Sequence, residues 1–181
     1  MNGVTRILGI DPGSRITGYG IIDSDGAKTR YVASGCIRVG NGAFPGRLNA
    51  IFSAIGELVA EFAPQDVAVE QVFMHRNADS ALKLGQARAA AICGTFGGAT
   101  VIYEYAAREI KQAIVGRGGA DKEQVQHMVK AILALEDMPL TDEADALAAA
   151  ICHAHSHRLK QTLSRSGPAR RRGSSWRKFA G

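Results

Sequence analysis

The sequence predicts an α/β domain built on a mixed sheet, and two patterns carry that prediction. Three strand-like segments separated by short turns come first, which favours antiparallel neighbours. Strand and helix then alternate, which favours parallel pairing with helices on the faces. At 181 residues the chain suits a single domain with room for a core and a tail.

The early strands are Arg6 to Ile10, Thr17 to Ile22 and Arg30 to Arg38, divided by the turn-rich "DPGS" and "DSDGAK". Leu48, Ile51, Phe52, Ile55, Leu58, Val59 and Phe62 then recur at helical spacing and stop before Pro64. "DVAVEQV", Asp66 to Val72, is short and valine-rich and reads as a buried strand. "NADSALKLGQARAAAICGTF" is a second helix closed by Gly97-Gly98, and "TVIYEY" from Thr100 is a fifth strand. A short helix, "AAREIKQAIVG", ends at the glycines from Gly116 to Gly119, and Asp121 caps the next. Thr141 is a suitable N-cap for a last helix, "DEADALAAAICHAHSH". The expected division is a body of residues 1–158 and a basic, disordered tail of 159–181.

Charge is unevenly placed. The chain carries +5, yet eight basic residues and no acid follow from Arg158 onward. The other 14 Lys and Arg stand against all 17 Asp and Glu, so the body before Arg158 is at −3. Nucleic-acid binding by the body therefore has to come from local patches. No apolar run is long and uncharged enough to span a bilayer, and Met1 to Arg6 lacks a signal-peptide layout, so the expectation is a cytoplasmic protein. Cys36, Cys93 and Cys152 have no metal or redox spacing and read as buried, reduced thiols.

The informative residues are acids in unusual places. Asp11 closes the first apolar run where strand gives way to turn. Glu70 interrupts a valine-rich strand, where an unpaired charge is expensive. It reads either as an ion pair or strand end facing water, or as a metal ligand. Asp142 and Asp145 share one face of the last helix, three residues apart in its first turn. Helix-dipole stabilisation would account for them. The run of alanines that follows, however, allows that helix to pack closely on a sheet and press its carboxylates toward the strand ends. Four carboxylates suit Mg²⁺ or Mn²⁺ rather than zinc. A pair of such ions can activate water and stabilise a leaving oxygen in phosphodiester cleavage.

Four blocks, "ILGIDPGSRITGYGII", "VAVEQVFMHRNADSALKLGQARAAAI", "KQAIVGRGGADKEQVQHMV" and "DEADALAAAICHAH", resemble the RuvC family of bacterial Holliday-junction resolvases. The resemblance runs in order from about Arg6 to His155 and leaves the tail uncovered. It implies a ribonuclease H-like fold with a mixed five-stranded sheet flanked by helices. It further implies a homodimer, Mg²⁺-dependent nicking of two opposed strands at a four-way DNA junction, and a partnership with the RuvA-RuvB branch-migration complex. By motif position Asp11, Glu70, Asp142 and Asp145 are the family's metal-binding acids, serving two Mg²⁺ per subunit with Mn²⁺ as a substitute. Some relatives carry histidine at the position of Asp142.

The same resemblance makes Lys111 and Lys122 lysines near the cleaved phosphate, where a compact point charge is suitable. It makes Phe73 an aromatic that stacks on unpaired bases at the junction centre; from the residues alone Phe73 reads as core. Arg76, Lys83, Arg88, Arg108 and Arg117 are candidates for the phosphate patches an acidic body needs, against a scattered solvated set. His153 and His157 share a helix face, which the dipole at a helix C-terminus explains better than a metal does. "GIDPGSRITGYG" is also similar to the phosphate loop of sugar-kinase and actin-like ATPases, but those need two large domains. Two rival readings stay open: an RNA-processing nuclease of the related YqgF type, and a junction-binding scaffold without catalysis. All four acids speak against the scaffold. The long "NADSALKLGQARAAAI" helix, a suitable dimer face, speaks against the shorter relative.

Overall fold

The computed structural model describes residues 3–71 and 77–165. Strands β1 (Thr5–Asp11), β2 (Ile16–Ser24) and β3 (Thr29–Arg38) form an antiparallel meander, as the short turns predict. The chain crosses over through α1 (Phe44–Phe62) to β4 (Asp66–Glu70). It crosses again through α2 (Ala78–Gly94) and a 3₁₀ turn to β5 (Val101–Tyr105). Both crossovers return parallel, β4 beside β1 and β5 beside β4, so the sheet order is β3-β2-β1-β4-β5. Helices α3 (Ala107–Val115), α4 (Lys122–Leu133) and α5 (Thr141–Arg165) complete the described residues.

Strand alternation sorts the side chains into two cores. Leu8, Ile10, Ile21, Val67 and Val69 face α1 and α2. Ile7, Ile22 and Ala68 face α3, α4 and α5. The same period of two places Asp11 on the side of Ile7, and Glu70 on the side of Ala68, so both acids point to the α5 face at the ends of their strands.

Helix α5 lies almost in contact with the sheet backbone. Ala146 to Ile151 are all fully buried. Across from them the sheet offers glycines. A Cβ on Gly9 would strike the Ala146 carbonyl, one on Gly18 the Asp142 carbonyl, and one on Gly20 would sit 2.6 Å from the Leu147 side chain. Gly9 and Gly20 are register partners, and Gly18 is the partner of Asp11. The sequence shows the alanine half of this contact; the glycine half becomes visible only once β1 and β2 are in register.

Three expectations change. Thr141 is the first residue of α5 rather than its cap. The Leu140 N–H donates to Glu143 Oε2 at 2.9 Å, and the Thr141 hydroxyl accepts from Gln126 Nε2 at 3.4 Å, so Glu143 closes the helix start and Thr141 ties it to α4. Of the three thiols only Cys152 is buried; Cys93 is exposed because α2 turns a small-residue face outward. And α5 continues to Arg165, which places His153 and His157 in mid-helix, away from the terminus where the dipole acts.

His153 is a buried anchor. Its Nε2 lies 2.9 Å from Asp66 Oδ2 and its Nδ1 2.7 Å from the Tyr105 hydroxyl. The ring also packs on Tyr103 with centroids 4.3 Å apart. Through this residue α5 is bonded to β4 and β5, which supplements the glycine seat on β1 and β2. No helix among the described residues is long and apolar enough to cross a membrane.

Candidate active site

The site forms where β1 and β4 end beneath the first turn of α5. Asp11 and Glu70 come from the two parallel strands, and Asp142 and Asp145 come from the helix seated over Gly18. Asp11 is the common neighbour: the charges of Asp145, Glu70 and Asp142 all act on it, and Asp145 also acts on Glu70. Burial pushes the Asp11 carboxyl up to about 8, helped by the charges of Asp145, Glu70 and Asp142 and opposed by Lys122. Burial raises Glu70 too, helped by Asp145 and opposed by Lys122 and Lys111. Spacing within a helix could pair the two aspartates; the fold brings them to Glu70 and Asp11, which lie 72 and 131 positions before Asp142 in the chain.

Both predicted lysines reach this cluster. Lys122, the first residue of α4, donates from Nζ to Asp145 Oδ2 at 3.1 Å. Burial pulls its ammonium down, but Asp145, Asp11 and Asp142 outweigh that and the net shift is upward. Lys111 on α3 acts on Glu70 by its charge. One flank of the acids is thus positive by construction.

The other predicted contacts divide. Phe73 and Arg76 lie outside the described residues. Lys83 is engaged with Asp79 at 2.5 Å along α2. The Arg88 guanidinium sits 2.7 Å from Glu104 of β5, at an angle that makes an ion pair but not a hydrogen bond, and its Nε donates to the Glu70 carbonyl at 3.4 Å. Arg88 therefore braces the strand end that carries Glu70. Arg108 and Arg117 are exposed near the Lys111 flank, where Arg108 lies against Gly118. Sequence reasoning missed the Gly9, Gly18 and Gly20 seat and the Asp66–His153–Tyr105 link. The alternating glycines of "GIDPGSRITGYG" were the available signal for the first.

The donor set fits a hard divalent cation: four carboxylates, two from strand ends and two from a helix N-terminus, with Asp11 holding a proton against its neighbours' charge. Among the described residues no three acidic, histidine or cysteine side chains are gathered closely enough to grip an ion as they stand. Lys122 engages one oxygen of Asp145, Oδ2, which leaves the other carboxylate oxygen open to a cation.

An all-carboxylate cluster faced by lysines, at the end of a ribonuclease H-like mixed sheet, defines a phosphodiester-cleaving nuclease. The family profile for "Crossover junction endodeoxyribonuclease RuvC" matches residues 7–153. The chain belongs to the RuvC family. It is 55% identical over 161 residues to a crossover junction endodeoxyribonuclease RuvC of Marinobacter nauticus, covering 89% of this chain and 92% of that one. Its similarity to the Aliivibrio fischeri protein of the same name is 54% over 167 residues, with 92% and 96% covered. Among solved structures, Thermus thermophilus RuvC in complex with Holliday junction substrate superposes with a TM-score of 0.81 at 34% identity, covering 86% of this chain and 96% of that one. The yeast mitochondrial Holliday junction resolvase Ydc2 shares the fold at 12% identity, with a TM-score of 0.65 over 88% of this chain and 84% of that one.

Proposed function

We propose that this protein resolves four-way DNA junctions in recombination and repair, as a homodimer that makes paired symmetric nicks, one per subunit. The observation that carries the reading is the meeting of Asp11, Glu70, Asp142 and Asp145 beside Lys111 and Lys122. Mg²⁺, two per subunit with Mn²⁺ able to substitute, would be held by the four acids and would supply an activated water and counter-charge for the leaving oxygen.

The chain's own groups do the rest. Asp11 would be ionised with the cation held, and Asp145 would offer it the oxygen that Lys122 leaves open. Lys122 and Lys111 would place positive charge against the scissile phosphate from the α3–α4 side. Phe73, three residues beyond Glu70, is positioned in the chain to stack on a base opened at the junction, which is worth ~1–3 kcal/mol.

Support for the dimer comes from α2. Leu82, Gly85, Ala89, Cys93 and Phe96 are all exposed at helical spacing, and Phe52 of α1 is 46% exposed beside them. An apolar stripe of that extent marks an interaction surface. A two-fold pair of sites matches the two opposed strands of a four-way junction. The RuvA-RuvB branch-migration complex is the partner this role implies, and the cytoplasm the compartment.

The test is incubation with a synthetic four-way junction and with a linear duplex of the same sequence, with Mg²⁺ or with chelator. Symmetric nicks in opposed junction strands, dependent on Mg²⁺ and absent from the duplex, are expected. Equal cutting of the duplex would refute junction selectivity.

A further inference from the structure

The lysines flank the acids on one side only, and the opposite side carries two arginines that the fold does not use. We infer that Arg15 and Arg38 hold the phosphate backbone of the strand being cut, on the β3 side of the acids, opposite Lys111 and Lys122. The inference rests on the reading that branched DNA is the substrate.

Register places Arg38. Asp11 pairs with Gly18, and Gly18 with Cys36, so these three form one row across β1, β2 and β3. Cys36 lies on the α5 face, where the charges of Glu143 and Asp142 reach it and that of Arg38 opposes them. Arg38 is two residues further along the same strand and so on the same face, opposite Ile16 at the sheet end. Strand spacing and rise put its Cα roughly 12 Å from that of Asp11. A long arginine side chain spans much of that distance.

Arg15 is brought to the same corner. Its carbonyl accepts from the Val39 N–H at 3.1 Å, which joins the β1–β2 turn to the end of β3. The turn itself is held fixed. Arg47 donates from Nη1 to the Ser14 carbonyl at 2.9 Å, and its guanidinium sits 4.9 Å from the centre of the Phe44 ring. The Thr17 hydroxyl donates to the Gly13 carbonyl at 3.0 Å. Arg15 is thus presented on a braced turn, with little ordering left to complete when it binds.

Neither arginine is neutralised. Both are exposed, and among the described residues neither has a carboxylate within ion-pair distance, although Asp142 and Glu143 share with Arg38 an influence on Cys36. Two unpaired guanidiniums beside an acid cluster, on a body of net charge −3, match the planar fork that binds phosphate. A strand crossing the site would then meet positive charge before and after the scissile phosphate, which fixes its register over the acids.

The experiment is binding of a synthetic four-way junction in chelator, across a salt series, by wild-type protein, Arg15→Gln/Arg38→Gln and Arg15→Lys/Arg38→Lys. Each lost phosphate contact lowers the log–log salt slope by about one, so the Gln pair should lose about two and the Lys pair keep most of it. A second arm places one uncharged methylphosphonate at a time on either side of the cut. It should weaken wild-type binding on the β3 side of the cut and leave the Gln pair unaffected there. A wild-type slope for the Gln pair, or methylphosphonate losses equal in the two proteins, would overturn the inference. Wild-type protein without preference for the junction over duplex would overturn the substrate reading instead, and the slope on duplex would still report on the two arginines.

Discussion

Gly18 lies directly against the backbone of Asp142: a methyl group on Gly18 would collide with the Asp142 carbonyl oxygen. Because Gly18 is also the register partner of Asp11, this contact sets the distance between the strand acid and the helix acids. Gly18→Ala should therefore act twice. Overpacking at such a contact costs roughly 1–3 kcal/mol, read as a lower melting temperature. Nicking by the folded fraction should fall further, since α5 has to lift from the sheet. Gly46→Ala, in α1 with open space around it, is the control and should leave nicking unchanged. Wild-type nicking by Gly18→Ala would show that the seat does not position the acids.

Asp11 gives a pH dependence with a definite sign. Its folded pKa, about 8, lies well above the unfolded value near 3.9. Folded protein therefore holds a proton that unfolded chain has released. The stability from that proton is fully present below about pH 4 and is lost as pH rises toward about 8. In chelator, stability should fall across that range by on the order of a few kcal/mol at most, read as a lower melting temperature. Asp11→Asn should flatten the fall and melt higher than wild type at pH 8, while Mg²⁺ should rescue only the wild type. Parallel pH profiles for the two proteins would contradict the shift.

The link through His153 predicts a purely structural defect. Replacing it with alanine leaves Asp66 without its buried partner, a change that costs about 3–5 kcal/mol when the abandoned group is charged. His153→Ala should melt well below wild type yet nick junctions at a near-normal rate at low temperature, because the Asp66 contact lies at the start of β4 and Glu70, the proposed metal ligand, at its end. A large loss of rate at unchanged stability would place His153 in the chemistry.

Much of this arrangement was legible before any coordinates. The strands and helices follow from period and punctuation, and Asp11 and Glu70 stand out as charges at apolar strand ends. What was illegible depends on pairing across the sheet. Gly18 reads as an ordinary strand glycine until it is seen opposite Asp11. Arg88 reads as a free cation until β5 brings Glu104 beside it. His153 is 87 residues from Asp66, and no local pattern joins them. The last turns of α5 are not legible because "RLKQTLSR" has no clear apolar period, so the sequence reading ends the helix at "HAHSH".

The basic tail makes a prediction of its own. Removing Ser164 to Gly181 deletes Arg165, Arg170, Arg171, Arg172, Arg177 and Lys178. If these release counterions from DNA, the salt slope for junction and duplex alike should flatten by about two or three units, with up to roughly five if every charge is engaged. Nicking at low salt should persist, since the acids and lysines all precede the deletion. Identical slopes for full-length and truncated protein would mean that the tail does not touch DNA.

The four acids carry the proposed chemistry. The decisive measurement is single-turnover nicking of a four-way junction in Mg²⁺ by Asp11→Asn, Glu70→Gln, Asp145→Asn and Asp142→His, with junction affinity measured in parallel. The first three should lose nearly all cleavage while binding survives, because binding rests on phosphate contacts elsewhere. Asp142→His should keep part of the activity, since an imidazole can stand in for a carboxylate as a metal ligand. Near-wild-type nicking by Asp11→Asn would contradict the assignment of the site.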